Sequence, residues 1–135
     1  MAESSVHLVR RLLELFNSGD REAMLEYISE DFVAVVPPSL SAEPDTYEGH
    51  AGVLRYLDAF EGMLEDVRFE PIEFHPQGDV VIVDMLLKGR GVTSGIDVAQ
   101  RTAAVHWTAD GRVERIEPYP DLEAAREGLR RRGES

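Results

Sequence analysis

Few side chains in this sequence combine a reactive group with a position from which it could act inside an apolar core. Tyr27 and Tyr56 fall on the inner sides of two predicted helices. A tyrosine in apolar surroundings usually finds a hydrogen-bond partner for its hydroxyl, and that partner can be a ligand. The alternative is that each hydroxyl bonds main-chain groups or water in the core. Both tyrosines are therefore candidate catalytic or ligand-binding residues.

His106 and Trp107 are adjacent on a predicted strand and so face opposite sides of it. Val98 indicates that even-numbered residues point inward, whereas Val105 and Trp107 indicate that odd-numbered residues do. A β-bulge near residues 100–102 would reconcile the two patterns, placing Trp107 in a pocket and His106 on the outer face. With the opposite facing, His106 is the best acid–base candidate, because an imidazole titrates near neutrality.

Glu114 is the one carboxylate that strand alternation can place near a pocket, since Ile116 and Pro118 would share its face. A position on the water-exposed rim is the commoner outcome for such a residue. The sequence has no cysteine, which excludes thiolate nucleophiles, disulfides and cysteine-ligated metals. Its four histidines lack the spacing of metal ligands, so we expect no metal and no cofactor.

Composition narrows the class of partner. The chain has 135 residues, which is the size of one domain spanning 1–135 with a substantial core. Its net charge of −12 disfavours nucleic acid and anionic membranes, because these would repel a polyanion. No apolar run approaches the ~18 residues of a membrane span, and the N-terminus lacks the pattern of a secretion signal. We therefore expect a cytoplasmic protein with no nucleic-acid or membrane partner.

Periodicity and turn residues predict an α+β domain. The predicted helices cover residues 4–17, 20–29, 49–62 and 121–131. The predicted strands cover residues 32–36, 67–75, 79–90, 96–108 and 112–119. A proline- and serine-rich loop is expected over residues 37–48. The helices are expected to pack on one face of a curved antiparallel sheet.

The order of these elements resembles the SnoaL-like group of the nuclear transport factor 2-like superfamily. The stretches that carry the resemblance are LFNSGDREAMLEYISEDF, TYEGHAGVLRYLDAF, HWTADGRVERIEPY and YPDLEAA. The resemblance implies a cone, in which a curved antiparallel sheet wraps around helices and a pocket opens at the wide end. Members include polyketide cyclases, ketosteroid isomerases, limonene-epoxide hydrolases and binding proteins without chemistry, so the site residues must decide the function.

The resemblance also implies where the polar catalytic residues of those enzymes would fall, and each position is apolar here. The isomerase positions fall on Leu12, Val36 and Ala103. The epoxide hydrolase positions fall on Met85, Leu87 and Pro118, and the cyclase position falls at or near Pro118. The sequence thus has the residues expected for the pocket wall but lacks the polar catalytic residues of the known enzymes in the family.

We therefore expect an apolar pocket that binds a small, neutral, apolar molecule. Any catalysis would be cofactor-free and of isomerase, cyclase or hydrolase type. The expected ligand-binding residues are Leu12, Phe16, Tyr27, Phe32, Val36, Tyr56, Phe60, Met85, Leu87, Trp107, Ile116 and Pro118. The alternative is a non-catalytic, dimeric interaction domain whose pocket is vestigial. The two hypotheses differ in whether a continuous cavity lies among these side chains.

The outer face of the predicted sheet indicates self-association. The side chains expected there are Val80, Ile82 and Leu86, joined by Thr102, Ala104 and His106 if the predicted bulge is present. Such a face is too apolar to remain in contact with water on a small domain, and members of the resembled family commonly pair through it. We expect a twofold homodimer. Light scattering that gives the mass of a single chain at micromolar concentration would contradict it.

Overall fold

The computed structural model describes the main chain of residues 2–36 and 45–134 and the side chains of residues 5–35, 46–59 and 61–131. Its helices are α1 (Ala2–Ser18), α2 (Arg21–Glu26), α3 (Gly49–Met63) and α4 (Leu122–Glu134). Its strands are β1 (Ile28–Val36), β2 (Asp45–Glu48), β3 (Leu64–Gln77), β4 (Val80–Gly91), β5 (Asp97–Ala109) and β6 (Arg112–Tyr119). In these ranges we find no helix with the length and apolar character that crossing a membrane requires.

The six strands form one curved sheet in the order β2-β1-β6-β5-β4-β3, which confirms the α+β cone. Two details differ from the prediction. β1 runs parallel to β6, while every other neighbouring pair of described strands is antiparallel, so the sheet is mixed. The end of the predicted loop 37–48 is strand β2, which pairs with β1. Residues 37–44 lie outside the described part of the chain.

Glycines in the left-handed conformation turn the chain where the sequence predicts it. Gly19 follows α1 with φ 77°, and Gly78 and Gly111 turn β3 into β4 and β5 into β6 with φ 64° and 75°. Glycine adopts this region at little cost because it has no Cβ. Asp20 then caps α2, since its Oδ1 accepts the N–H of Ala23 at 3.1 Å.

The second helix is shorter than predicted. The pattern predicts a helix over residues 20–29, but α2 ends at Glu26 and strand β1 begins at Ile28. The N–H of Val113 donates to the carbonyl oxygen of Tyr27 at 2.8 Å, which ties this segment to β6. Pairing with β6 therefore overrides a local preference for helix.

The sheet is covered on both faces. α1 and α3 pack on the inner face against residues such as Phe32, Val83 and Val113. α4 packs on the outer face, where its Ala125 is buried among the side chains of Ile82, Ala103 and Val105. The prediction that all helices share one face is wrong for α4, because the apolar outer sides of β4 and β5 need a cover of their own.

The placement of α4 changes the support for a homodimer. Val80 and Ile82 lie on the outer face as expected, but they pack with the α4 cluster instead of facing solvent. Thr102, Ala104 and His106 line the inner side of the sheet, so their predicted outer position is wrong. The homodimer stays a prediction, now with less exposed apolar surface in its favour.

An ion pair between a buried carboxylate and an exposed arginine also lies on this outer face. Asp84 is only 3% exposed. Nε of Arg101 donates to Oδ1 of this carboxylate at 2.9 Å, and Nη2 donates to Oδ2 at 2.6 Å. These bonds hold the pKa of Asp84 below its usual value, although burial acts in the opposite direction. A carboxylate in such a place depends on its partner.

Candidate functional site

A cavity of about 150 Å³ lies between the inner face of the sheet and helices α1 and α3. An apolar cavity of this size can take up a ring as large as benzene. α1 contributes Leu13 to its wall, α3 contributes Val53 and Leu57, and β5 contributes Ala104. The wall is mostly apolar, so a ligand there would gain affinity chiefly by leaving water.

Most of the ligand-binding residues expected from the sequence line this cavity. They are Leu12, Phe16, Phe32, Tyr56, Met85, Leu87, Ile116 and Pro118. These residues come from α1, β1, α3, β4 and β6, and the curvature of the sheet brings them together. Met85, Leu87 and Pro118 are the positions counted for the epoxide hydrolases, and here they form plain apolar wall.

Four of the expected residues are not placed in the cavity. Tyr27 follows the last residue of α2 and packs against the core on the inner side, but it is not among the residues that line the cavity. Trp107 packs on the outer face beside the α4 cluster, with the guanidinium of Arg115 6.0 Å from its ring centre. The side chains of Val36 and Phe60 lie outside the described residues.

The facing of His106 and Trp107 is the reverse of the preferred prediction. β4 and β5 pair without interruption from Val80 opposite Trp107 to Arg90 opposite Asp97, so no bulge interrupts that pairing near residues 100–102. Even-numbered residues of β5 therefore point inward, and His106 lines the cavity. His106 is thus the acid–base candidate that the sequence offered as the alternative.

The irregularity of the sheet lies instead in β6. Trp107 pairs with Arg115 but the next residue, Thr108, pairs with Val113, which leaves Glu114 as the extra residue. Glu114 is exposed at this bulge. It therefore does not share the inward face of the residues that follow it, and it brings no carboxylate into the cavity.

Ala103, the position counted for one isomerase aspartate, is fully buried on the outer face beneath α4. The prediction that this position lies in the pocket is therefore wrong, because Ala103 is on the opposite face of β5 from the cavity. Its neighbours Thr102 and Ala104 face the cavity instead, and neither carries a carboxylate. Leu12, the tyrosine position of the isomerases, does line the cavity.

His106 is the buried titratable group of the cavity wall. The residue is only 3% exposed, and desolvation lowers its pKa to about 4. The main-chain groups of Val81 and Ala104 raise this pKa, but by less than burial lowers it. No hydrogen-bond partner reaches Nδ1 from the described part of the chain. His106 is therefore a neutral imidazole at pH 7.

Tyr56 is the other titratable side chain among the described lining residues. Gly52 allows its helix to approach β2, because a Cβ there would lie 2.8 Å from the carbonyl carbon of Tyr47. The rings of Tyr47 and Tyr56 then meet edge to face with centres 5.0 Å apart. Burial raises the pKa of Tyr56, so its hydroxyl stays protonated.

Two polar residues of the wall, Gln100 and Thr102, were not predicted from the sequence as site residues. Both share the inward face of β5 with His106. Gln100 is exposed, and the Oγ1 of Thr102 donates to the carbonyl oxygen of Tyr119 at 2.8 Å. The signal that could have found them was the inward alternation indicated by Val98, continued through the strand without a bulge.

Among the described residues we find no group of three histidine, cysteine or acidic side chains that could hold a metal ion. The family model for the SnoaL-like domain matches residues 9–116. The chain belongs to the SnoaL-like domain family. No protein of curated function is significantly similar to this SnoaL-like domain.

Solved structures similar to this SnoaL-like domain include TerC co-crystallised with polyporic acid. TerC is 25% identical, with a TM-score of 0.79 over 92% of this chain and 96% of its own. A nuclear transport factor 2-like protein from Burkholderia xenovorans LB400 is 24% identical, with a TM-score of 0.76 over 94% and 96% of the two chains. A proposed polyketide cyclase from Xanthomonas campestris pv. campestris is 22% identical, with a TM-score of 0.76 over 90% and 93%.

The SnoaL-like membership and these neighbours fit a domain that binds small molecules. The described cavity wall has the polar side chains of Gln100 and Thr102 and two titratable groups, the neutral imidazole of His106 and the phenolic hydroxyl of Tyr56. Neither is charged at pH 7, and none of the described lining residues is Lys, Arg, Asp or Glu. The site is thus suited to a neutral ligand.

Proposed function

We propose that this domain binds a small, neutral, mostly apolar molecule of ring size in the cavity beneath its sheet. The observation that carries the proposal is the cavity itself, apolar on most of its wall and with His106 as its buried polar group. Apolar burial contributes roughly 25 cal/mol per Å². An unpaired charge in the same place would cost several kcal/mol, which disfavours charged metabolites.

Any turnover that we propose is cofactor-free proton transfer of the isomerase, cyclase or hydrolase type. His106 and Tyr56 are its candidate acid–base groups, in place of the carboxylates that the family enzymes use. A pKa of about 4 makes His106 a weak base at pH 7, so the group is suited to hydrogen bonding first and to proton transfer only with an acidic substrate.

The similarity to TerC supports a small organic ligand, because that protein was co-crystallised with polyporic acid. The cavity here is about 150 Å³. A benzene-sized cavity favours compounds with one ring. We therefore propose single-ring terpenoids and aromatics as the first compounds to test.

A thermal-shift screen should find neutral ring compounds that stabilise the protein and charged metabolites that do not. At a hundredfold excess over its Kd, a ligand stabilises the folded state by about 2.7 kcal/mol. In a domain of this size that raises the Tm by several degrees. Nucleotides and sugar phosphates serve as the charged arm of the screen.

Two substitutions on β5 test whether the thermal shift arises from binding in the cavity. Ala104→Leu puts an isobutyl group into the cavity wall and should abolish the shifts. Ala99→Leu makes the same change at an exposed position of the same strand and should leave them intact. If only anionic compounds stabilise the protein, or if Ala104→Leu responds like Ala99→Leu, the proposal fails and the alternative of an interaction domain with a vestigial pocket replaces it.

The remaining expectations about partners and location stay as proposals. They are a homodimer formed through the outer face of the sheet, the absence of nucleic-acid and membrane partners, the absence of a bound metal or cofactor, and a cytoplasmic location. Their warrant is the net charge of −12 and the lack of cysteine, and for the homodimer the apolar outer strands, part of whose surface α4 covers.

A further inference from the structure

The cavity opens to solvent at one end, and two of its lining residues mark that opening. Among the described residues of the cavity wall, only Met63 and Gln100 are exposed. Met63 is the last residue of α3, and Gln100 lies on the inward face of β5. The wall around His106 is buried, with Ala34 4% and Ala104 3% exposed. We call the end between Met63 and Gln100 the mouth of the cavity.

The strand pairing explains why Gln100 is exposed. β6 ends at Tyr119, which pairs with Ala103, so the first part of β5 extends beyond β6. On its other side Gln100 pairs with Leu87 of β4, which is an apolar residue of the same cavity wall. Gln100 is thus a polar side chain on an otherwise apolar edge of the mouth.

The hydrogen-bonding side chains near the mouth are those of Gln100 and Thr102. Thr102 comes next on the inward face of β5, and its Oγ1 donates to the carbonyl oxygen of Tyr119 at 2.8 Å. Because that hydroxyl hydrogen is already used, Oγ1 can only accept from a ligand. The carboxamide of Gln100 can donate and accept, and no group in the described part of the chain hydrogen-bonds it. The mouth therefore suits a ligand group that donates as well as accepts.

We propose that the ligand is an amphipathic ring compound, with its ring in the apolar interior and an alcohol or amide group hydrogen-bonded to Gln100 at the mouth. This inference rests on the proposed function of the cavity. A wholly apolar ligand that fills the mouth removes water from the Gln100 carboxamide without replacing its hydrogen bonds, whereas an alcohol or amide replaces them. Gln100 is thereby a specificity-determining residue, at the opposite end of the cavity from His106.

Calorimetric titration of benzyl alcohol and ethylbenzene tests this contact, because the two molecules are similar in shape and differ in the terminal group. The measured quantity is the ratio of their dissociation constants. In Gln100→Met, which removes the carboxamide and nearly keeps the side-chain length, benzyl alcohol should lose about two- to tenfold relative to ethylbenzene, as for one hydrogen bond that competes with water. Ala99→Met introduces the same side chain at the adjacent exposed position, on the opposite face of β5, and should keep the wild-type ratio.

Gln100→Glu should change the charge that the mouth prefers. The carboxylate has the shape of the carboxamide and attracts the protonated amine of benzylamine at pH 7. Benzylamine should therefore gain about two- to fivefold over benzyl alcohol, and added salt should reduce this gain. Ala99→Glu adds the same charge on the outer side of β5 and should produce a smaller gain. A purely structural role of Gln100 would not produce this change of preference.

The outcomes separate the two proposals. If the ratio of benzyl alcohol to ethylbenzene is the same in wild type and Gln100→Met, the contact at the mouth is overturned, while binding of either compound leaves the cavity function standing. An equal gain for benzylamine in Gln100→Glu and Ala99→Glu also overturns the contact. If neither these compounds nor any other ring compound binds the wild-type protein, the proposed function fails and the inference fails with it.

Discussion

Wild-type protein should lose roughly 3 kcal/mol of stability relative to the His106→Gln variant as the pH falls from 7 to 4. The reason is that His106 has its pKa lowered to about 4 by burial, whereas an unfolded histidine titrates near 6.5. Between these values the unfolded chain binds a proton that the folded chain does not. Stability therefore falls with the pH through this window, and below pH 4 this residue contributes no further loss.

Comparison with the variant isolates this effect from the other titrating groups. The chain has 26 acidic residues, which respond to acid in both proteins alike and cancel in the difference. Urea unfolding at several pH values measures it, since the free energy of unfolding is extrapolated separately at each pH. His7→Gln, at an exposed position of α1, controls for the loss of a histidine elsewhere. A difference between wild type and His106→Gln that stays constant from pH 7 to 4 would contradict the buried, neutral imidazole.

Arg101→Ala should destabilise the fold at pH 7, because it leaves the buried carboxylate of Asp84 without its partner. Breaking a wholly buried pair costs about 3–5 kcal/mol. The cost here should be smaller, because the Arg101 side chain is 59% exposed and water can replace part of its interaction. The matched control is Arg90→Ala. Arg90 pairs with Asp97 at 3.4 Å with both side chains exposed, so its loss should cost less than ~0.5 kcal/mol.

The pH dependence of this second defect has the same sign. In wild type the Arg101 hydrogen bonds hold the pKa of Asp84 below its usual value, so the pair stabilises the fold above the unfolded pKa and that contribution is lost in acid. Without Arg101, burial raises the pKa of Asp84. As the pH falls, the carboxyl group of the variant therefore protonates and the cost of burying its unpaired charge is removed. The difference between wild type and Arg101→Ala should therefore shrink as the pH falls. A defect that is equal at pH 7 and pH 3, or no larger than that of Arg90→Ala, would contradict this account.

The helices and turns were largely predictable because they depend on local signals. Gly19 ends α1 and Asp20 caps α2, as residues of those types do in many proteins. The boundary between α2 and β1 was not predictable. It depends on the hydrogen bond between Val113 and Tyr27, which are far apart in the chain.

The apolar wall of the cavity was mostly predictable, but its polar group was not. Leu12, Phe16 and Met85 could be assigned because apolar spacing marks the buried side of each element. His106 and Trp107 could not be assigned, because the sequence around them supports both facings. The physical reason is that α4 packs on the outer face of β5, so apolar residues occur on both faces of this strand.

The sequence by itself determined the family, the order of the elements, the turns and the lack of thiol chemistry, because each depends on residue type or on spacing along the chain. The tertiary structure alone decided that His106 faces the cavity and that Trp107 and Glu114 do not. Side-chain facing in a strand has a period of two, so one extra residue reverses it. In β6 the extra residue is Glu114, which only the pairing with β5 reveals. β5 has no extra residue opposite β4, and this uninterrupted register turns His106 inward. The chemistry proposed for this cavity depends on the register between β4 and β5.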